Sequence, residues 1–147
     1  MKILILILMP LFSISQKWYS ITWNDVAIIA AQSIAGGADA VNERIVHKGL
    51  GRGNQFWDYK ISFKNKYKDW PNDMRAKYPG SKTILVAFTD GYHLTRMVKN
   101  TGNLVAIAIV AGDFRAIPKK DRWKYVMKKT ALSLIPNRLT FNLVYKN

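Results

Sequence analysis

The amino-acid sequence predicts a mainly α protein, a small helical bundle or helical hairpin with a basic, aromatic-rich insertion. Three observations predict it. Hydrophobic residues make up 49% of the 147, enough for a packed core and too many for a disordered chain. Capping residues precede long stretches rich in apolar and small side chains. The glycines and prolines that punctuate structure gather between the first two of those stretches.

The start of the chain reads as an address. Met1 and Lys2 lead into an apolar run over residues 3–12, followed by Ser13-Ile14-Ser15-Gln16. A short basic start, a brief apolar core and a small-x-small site describe a signal peptide over residues 1–15, cleaved after Ser15 or kept as an anchor. The run is shorter than the roughly 20 residues that span a bilayer, and Pro10 interrupts it. Residues 16–147 then form a single helical domain.

Asn24 or Asp25 caps a helix over about 26–46. Its Ala35, Gly36, Gly37, Ala38 and Ala40 let a second backbone approach closely. Gly36-Gly37 would each cost roughly 1 kcal/mol in a solvated helix, so the pair marks either a close neighbour or a break. Gly49, Gly51 and Gly53 make a loop. Trp57, Tyr59, Ile61 and Phe63 then alternate with period two, either as a strand or as an aromatic loop leading to a short helix. Pro79-Gly80 is a turn, and Ser81 caps a second helix over 82–99 that Thr101-Gly102-Asn103 breaks. The apolar run 104–111 fits a buried strand or a helix. Pro118 and Asp121 introduce a basic helix over 121–135, Pro136 ends it, and 138–145 is a short strand or docking tail.

Charge narrows the partners. Lys and Arg number 23 against 9 Asp and Glu, a net +14, which attracts polyanions: anionic lipid, nucleic acid or acidic polymer. No cysteine is present, which excludes disulfides, thiolate metal sites and cysteine nucleophiles. The uncharged stretches 26–38 and 100–112 fall short of a spanning helix. Three passes near 26–46, 82–98 and 103–114 would nonetheless put the basic blocks 44–82 and 115–146 on one side, as the positive-inside rule prefers. A water-soluble exported protein with a basic surface is the other reading.

Two groups of residues carry candidate chemistry. Asp39, Glu43 and His47 lie at i, i+4 and i+8 of the first helix, and Asp90 and His93 at i and i+3 of the second. All five together suit a divalent metal held between helices. Glu43, His47, Asp90 and His93 suit proton transfer, since imidazole titrates near neutrality. A buried polar network that only fixes packing has the same composition. The second group is Trp57, Lys60, Lys64, Lys66, Tyr67 and Lys68. Such a mix stacks on bases and touches phosphates, or sits at a membrane interface over anionic lipid. An exported protein seldom meets nucleic acid, which favours the interface.

The stretches Gly36-Gly37-Ala38-Asp39-Ala40-Val41-Asn42-Glu43, Phe56-Trp57-Asp58 with Ser62-Phe63-Lys64-Asn65-Lys66-Tyr67, and Thr89-Asp90-Gly91-Tyr92-His93-Leu94 resemble motifs of a group of small uncharacterised bacterial proteins with a signal or anchor. More distantly, Asp90-x-x-His93 and the small-residue helix with Glu43 are similar to motifs of VanZ-like membrane proteins. Those carry a lysine where this chain has Gly91, and their acidic helix comes later. The resemblance implies a helical, membrane-associated fold and no substrate. The expected protein is therefore exported to the inner membrane or its periplasmic face. It has a structural or interaction role there, with anionic lipid, a protein partner or a second copy as partners. The alternatives are an Asp/Glu/His enzyme on a phosphate- or lipid-linked substrate and a polyanion-binding module.

Overall fold

The computed structural model describes residues 20–147. Three long helices dominate: α1 (Trp23–His47), α3 (Gly91–Phe114) and α4 (Arg122–Lys146). Between α1 and α3 the chain makes an excursion with a short helix α2 (Tyr59–Ser62), a 3-10 turn (Phe63–Lys66) and a hairpin of β1 (Tyr67–Asp69) and β2 (Asp73–Ala76). The expected mainly helical bundle with a basic aromatic insertion is what the chain forms. The signal-peptide expectation lies outside the described residues.

α1 starts earlier than expected. Thr22, rather than Asn24 or Asp25, is the cap: its hydroxyl accepts from the Asp25 N–H at 3.2 Å, and the Asp25 carboxylate accepts from the Thr22 N–H at 2.8 Å. This reciprocal box satisfies two of the donors every helix start leaves orphaned. α1 is the central helix. α3 runs antiparallel along one side, so that Asn24 meets Asp113 and Asn42 meets Thr95. α4 runs parallel along the other, so that Asp25 meets Lys128 and Arg44 meets the Val144 carbonyl. α3 and α4 barely touch each other.

The small residues do what their spacing suggested, but inside the chain. A Cβ on Gly36 would stand 2.2 Å from the Asn137 carbonyl oxygen of α4. A Cβ on Gly102 would stand 2.6 Å from the Ala31 carbonyl oxygen of α1. Gly36-Gly37 therefore do not break α1. For the same reason Thr101-Gly102-Asn103 does not break α3: Gly102 is the helix crossing itself. α3 is one rod, and the expected helix over 82–99 and the run 104–111 merge into it from Gly91 onward; residues 82–90 are turns and a 3-10 segment (Val86–Phe88).

Pro136 likewise fails to end α4. Its missing N–H costs one intrahelical bond. Contacts to α1 on both sides of it hold the helix: Lys128 donates to Asp25 before it at 2.6 Å, and Asn137 donates to Gln32 after it at 3.2 Å. The expected strand over 138–145 is thus the last turns of α4. The three-pass reading does not survive, since its second and third passes share α3, and no described helix is long and apolar enough to cross a membrane.

The distribution of polarity is inverted. Among the described residues the fully buried apolar side chains are few and mostly small: Ile28, Ala35, Ala40, Ile45, Ala87 and Ala106. Between the helices lie Asp25, Lys129, Gln32, Asn42 and Thr95, all buried. Gln32 bridges both neighbours, donating to Asn103 at 3.2 Å and accepting from Asn137 at 3.2 Å. Meanwhile Ile34, Leu104, Ile107, Met127, Leu134 and Leu143 are exposed.

Candidate functional site

The excursion is clamped onto the start of α3. Trp57 is the wedge: a Cβ on Gly91 would stand 2.2 Å from its ring, and one on Gly51 2.3 Å from its Cβ. Gly91 N–H donates to the Phe56 carbonyl at 2.7 Å, and the Asn65 amide donates to the Gln55 and Thr89 carbonyls. Asp90 caps α3 there, accepting from the His93 N–H at 2.8 Å. Its carboxylate also holds the His93 ring, with Nδ1 2.8 and 2.9 Å from its two oxygens. Asp90 is buried and His93 half-buried. An Nδ1 facing two carboxylate oxygens carries the proton, which leaves Nε2 as the basic nitrogen. This dyad is the part of the expected acid/base constellation that the fold assembles.

The remaining members go elsewhere. Glu43 and His47 pair with each other at 3.2 Å on the exposed end of α1. Asp39 binds Lys99 of α3 at 2.7 Å. The expected five-residue metal set is not formed. Among the described residues no group of three or more His, Asp and Glu side chains could hold a metal. The reason is charge pairing: each carboxylate has found a cation or imidazole on its own face or the next helix.

The most heavily charged interior was not legible as a site. Asp25, fully buried, receives Lys128 Nζ at 2.6 Å on Oδ2 and faces Lys129 Nζ at 2.8 Å from Oδ1, the latter an ionic approach without good hydrogen-bond alignment. Lys129 also reaches Asp113 at 3.3 Å, and Asn24 donates to the same carboxylate at 2.8 Å. Two cations and two carboxylates thus compensate one another where α1, α3 and α4 meet. Burial alone would raise the Asp25 carboxyl, but the Lys128 and Lys129 ammonium groups and the Thr22 N–H outweigh it and hold the pKa at about 2. Burial, helped by the Asp113 and Asp25 charges, pushes the nearby Tyr125 phenol up to about 12. Its hydroxyl donates to the Val110 carbonyl at 3.1 Å. Beside this cluster opens a cleft of about 390 Å³ walled by Ala116, Ile117, Pro118 and Tyr125. The sequence signal was present in Thr22-x-x-Asp25, a capping box, and in Lys128-Lys129, but nothing in it joined the two.

The lysine–aromatic group divides. Trp57 is the internal wedge and is no stacking platform. Tyr67 packs on Trp70 at 5.0 Å between centroids, with Lys66 and Lys82 ammonium groups each 5.4 Å from its ring. Lys60 and Lys64 are exposed, the latter with its ammonium 6.0 Å from the Phe63 ring. Lys68 instead joins Arg75 and Lys77 on the hairpin, where the three line an open cleft of about 450 Å³. No protein-family model, curated protein or solved structure matches the chain.

Proposed function

We propose that this is a small basic membrane-associated protein of the cell envelope with a structural or interaction role. One observation carries the reading: polar side chains fill many of the contacts between the helices, while large apolar ones such as Ile34, Leu104, Ile107, Met127, Leu134 and Leu143 are exposed. A water-soluble bundle of this size would reverse that arrangement, because burying apolar surface is what stabilises it. Where lipid covers the outward faces of such helices, less of the apolar drive acts between them, and small residues and interhelical hydrogen bonds hold them together. Gly36 against Asn137, Gly102 against Ala31 and the Gln32 bridge are contacts of that kind.

The outward apolar residues also sit in register. The uncharged middles of α1 and α3 lie side by side, as the Gln32–Asn103 contact fixes, and the uncharged stretch 130–137 of α4 lies beside them. Basic residues bound this belt at both ends: Arg115, Lys119, Lys120 and Lys124 at one, the excursion with Lys48 and Lys146 at the other. Apolar middle and cationic ends together match a bilayer surface carrying anionic lipid. The test is fractionation of the full-length chain followed by a high-salt and then an alkaline carbonate wash. Retention through salt supports the reading. Recovery of the whole chain in the soluble fraction before any wash refutes it.

A further inference from the structure

The geometry points to a phosphate headgroup site on the hairpin, and this inference rests on the membrane reading above. Arg75 lies in β2, and Lys77 follows directly past the strand's end, its N–H donating to the Lys66 carbonyl at 3.0 Å. β1 pairs with β2 as Tyr67↔Ala76 and Asp69↔Asp73, and Lys68 lies at the register shift between those two pairs. All three line the 450 Å³ cleft with Tyr78 and Pro79, and no carboxylate lines it. Like charges across a strand pair repel. The local acid, Asp73, is already engaged by the Arg75 guanidinium at 2.7 to 3.1 Å. Among the described residues neither Lys68 nor Lys77 has an ion-pair partner. Two unpaired ammonium groups and a guanidinium around one concavity are complementary to a phosphate, which accepts from all three.

The surroundings select a lipid as the source of that phosphate. Tyr78, on the cleft wall, approaches the Leu85 carbonyl, and Lys82 reaches the Met74 carbonyl. The Leu85 backbone therefore stands beside the cleft wall, and its neighbour in sequence, Ile84, is 86% exposed, while Met74 and Leu85 are exposed in part. Exposed aliphatic side chains next to a phosphate-binding concavity suit the headgroup–acyl boundary, where cations meet phosphate and apolar tips enter the tails. A soluble polyanion leaves Ile84 in water.

The experiment is flotation of the full-length chain with phosphatidylglycerol/phosphatidylcholine vesicles and with phosphatidylcholine vesicles alone. The wild type is compared with Lys68→Gln/Lys77→Gln and with Lys119→Gln/Lys120→Gln, which removes the same charge at the opposite end of the bundle. Arg75 is kept because it holds Asp73. The hairpin variant is expected to bind phosphatidylglycerol vesicles roughly 30-fold more weakly, with a shallower salt dependence and unchanged affinity for phosphatidylcholine. The other variant is expected to lose far less. A hairpin variant that binds as the wild type does, or equal losses in both variants, overturns the headgroup site and leaves the membrane reading standing. A wild type that floats with neither vesicle overturns both.

Discussion

Replacing Asp25 with Asn tests whether the buried charge cluster holds the three helices together. The substitution keeps size, and its amide oxygen can still accept from the Thr22 N–H, so the capping box is largely spared. What it removes is the negative charge. Lys128 is then left with the Ser20 carbonyl and Lys129 with Asp113 at 3.3 Å. Breaking a buried pair from one side costs about 3–5 kcal/mol, and the surviving partners place this case near the lower end, about 3 kcal/mol. An independent route gives the same size. Its neighbours hold the Asp25 pKa at about 2 against the usual 3.8, which at 1.36 kcal/mol per unit stabilises the fold by about 2 kcal/mol when the carboxyl is ionised. Because the folded pKa is the lower one, that stability is present above about pH 4 and is lost as pH falls toward 2. Thermal unfolding followed by circular dichroism should show Asp25→Asn melting roughly 10 °C below wild type at neutral pH. Its melting temperature should also depend less on pH between 4 and 2. Adding Lys129→Met should recover part of the loss by restoring neutrality. A single variant within about 1 kcal/mol of wild type, or one that keeps the wild-type acid dependence, would refute the reasoning.

Other expectations follow from particular contacts. Gly36→Ala should destabilise by about 1–3 kcal/mol in urea unfolding, because the new methyl meets the Asn137 backbone and outweighs the helix-propensity gain. Gly112→Ala, with open space around the new Cβ, should stabilise by up to about 1 kcal/mol in the same measurement. Asn42→Ala should cost about 1–3 kcal/mol, since its amide donates to the Tyr92 carbonyl at 3.0 Å and to Thr95 Oγ1 at 2.8 Å. Asp90→Ser should keep the α3 cap while releasing the His93 ring, so nitrogen NMR should show His93 leaving the Nδ1-protonated form with little change in stability; Asp90→Ala should add about 1 kcal/mol of cap loss.

Much of the architecture was legible because it rests on local rules. The α1 pattern from Val26 onward, the glycine loop with left-handed Gly49, Gly51 and Gly53, and the Pro79-Gly80 turn all depend on neighbours in sequence. Misreadings arose where local rules met packing. Gly102 and Pro136 are breakers by propensity, yet both lie inside continuous helices because α1 packs against them. Of the candidate site, Asp90 with His93 and Glu43 with His47 were legible, since spacings of three and four bring residues onto one helix face. That Asp39 turns to Lys99 was not, because sixty positions separate them.

Helical character, strong basicity and freedom from cysteine chemistry were all readable from the amino-acid order. So were the positions of the small residues, caps and aromatic–lysine insertion. These follow from composition and from interactions a few residues long. Only the tertiary structure decided which helix is central and that the glycines serve contacts within the chain. It alone revealed that Asp25 gathers Lys128 and Lys129 in the interior, and that Lys68 joins Arg75 and Lys77 rather than its aromatic neighbours. Those outcomes depend on how residues a hundred positions apart share space and compensate charge, and periodicity along a chain does not encode which partner a buried charge will meet.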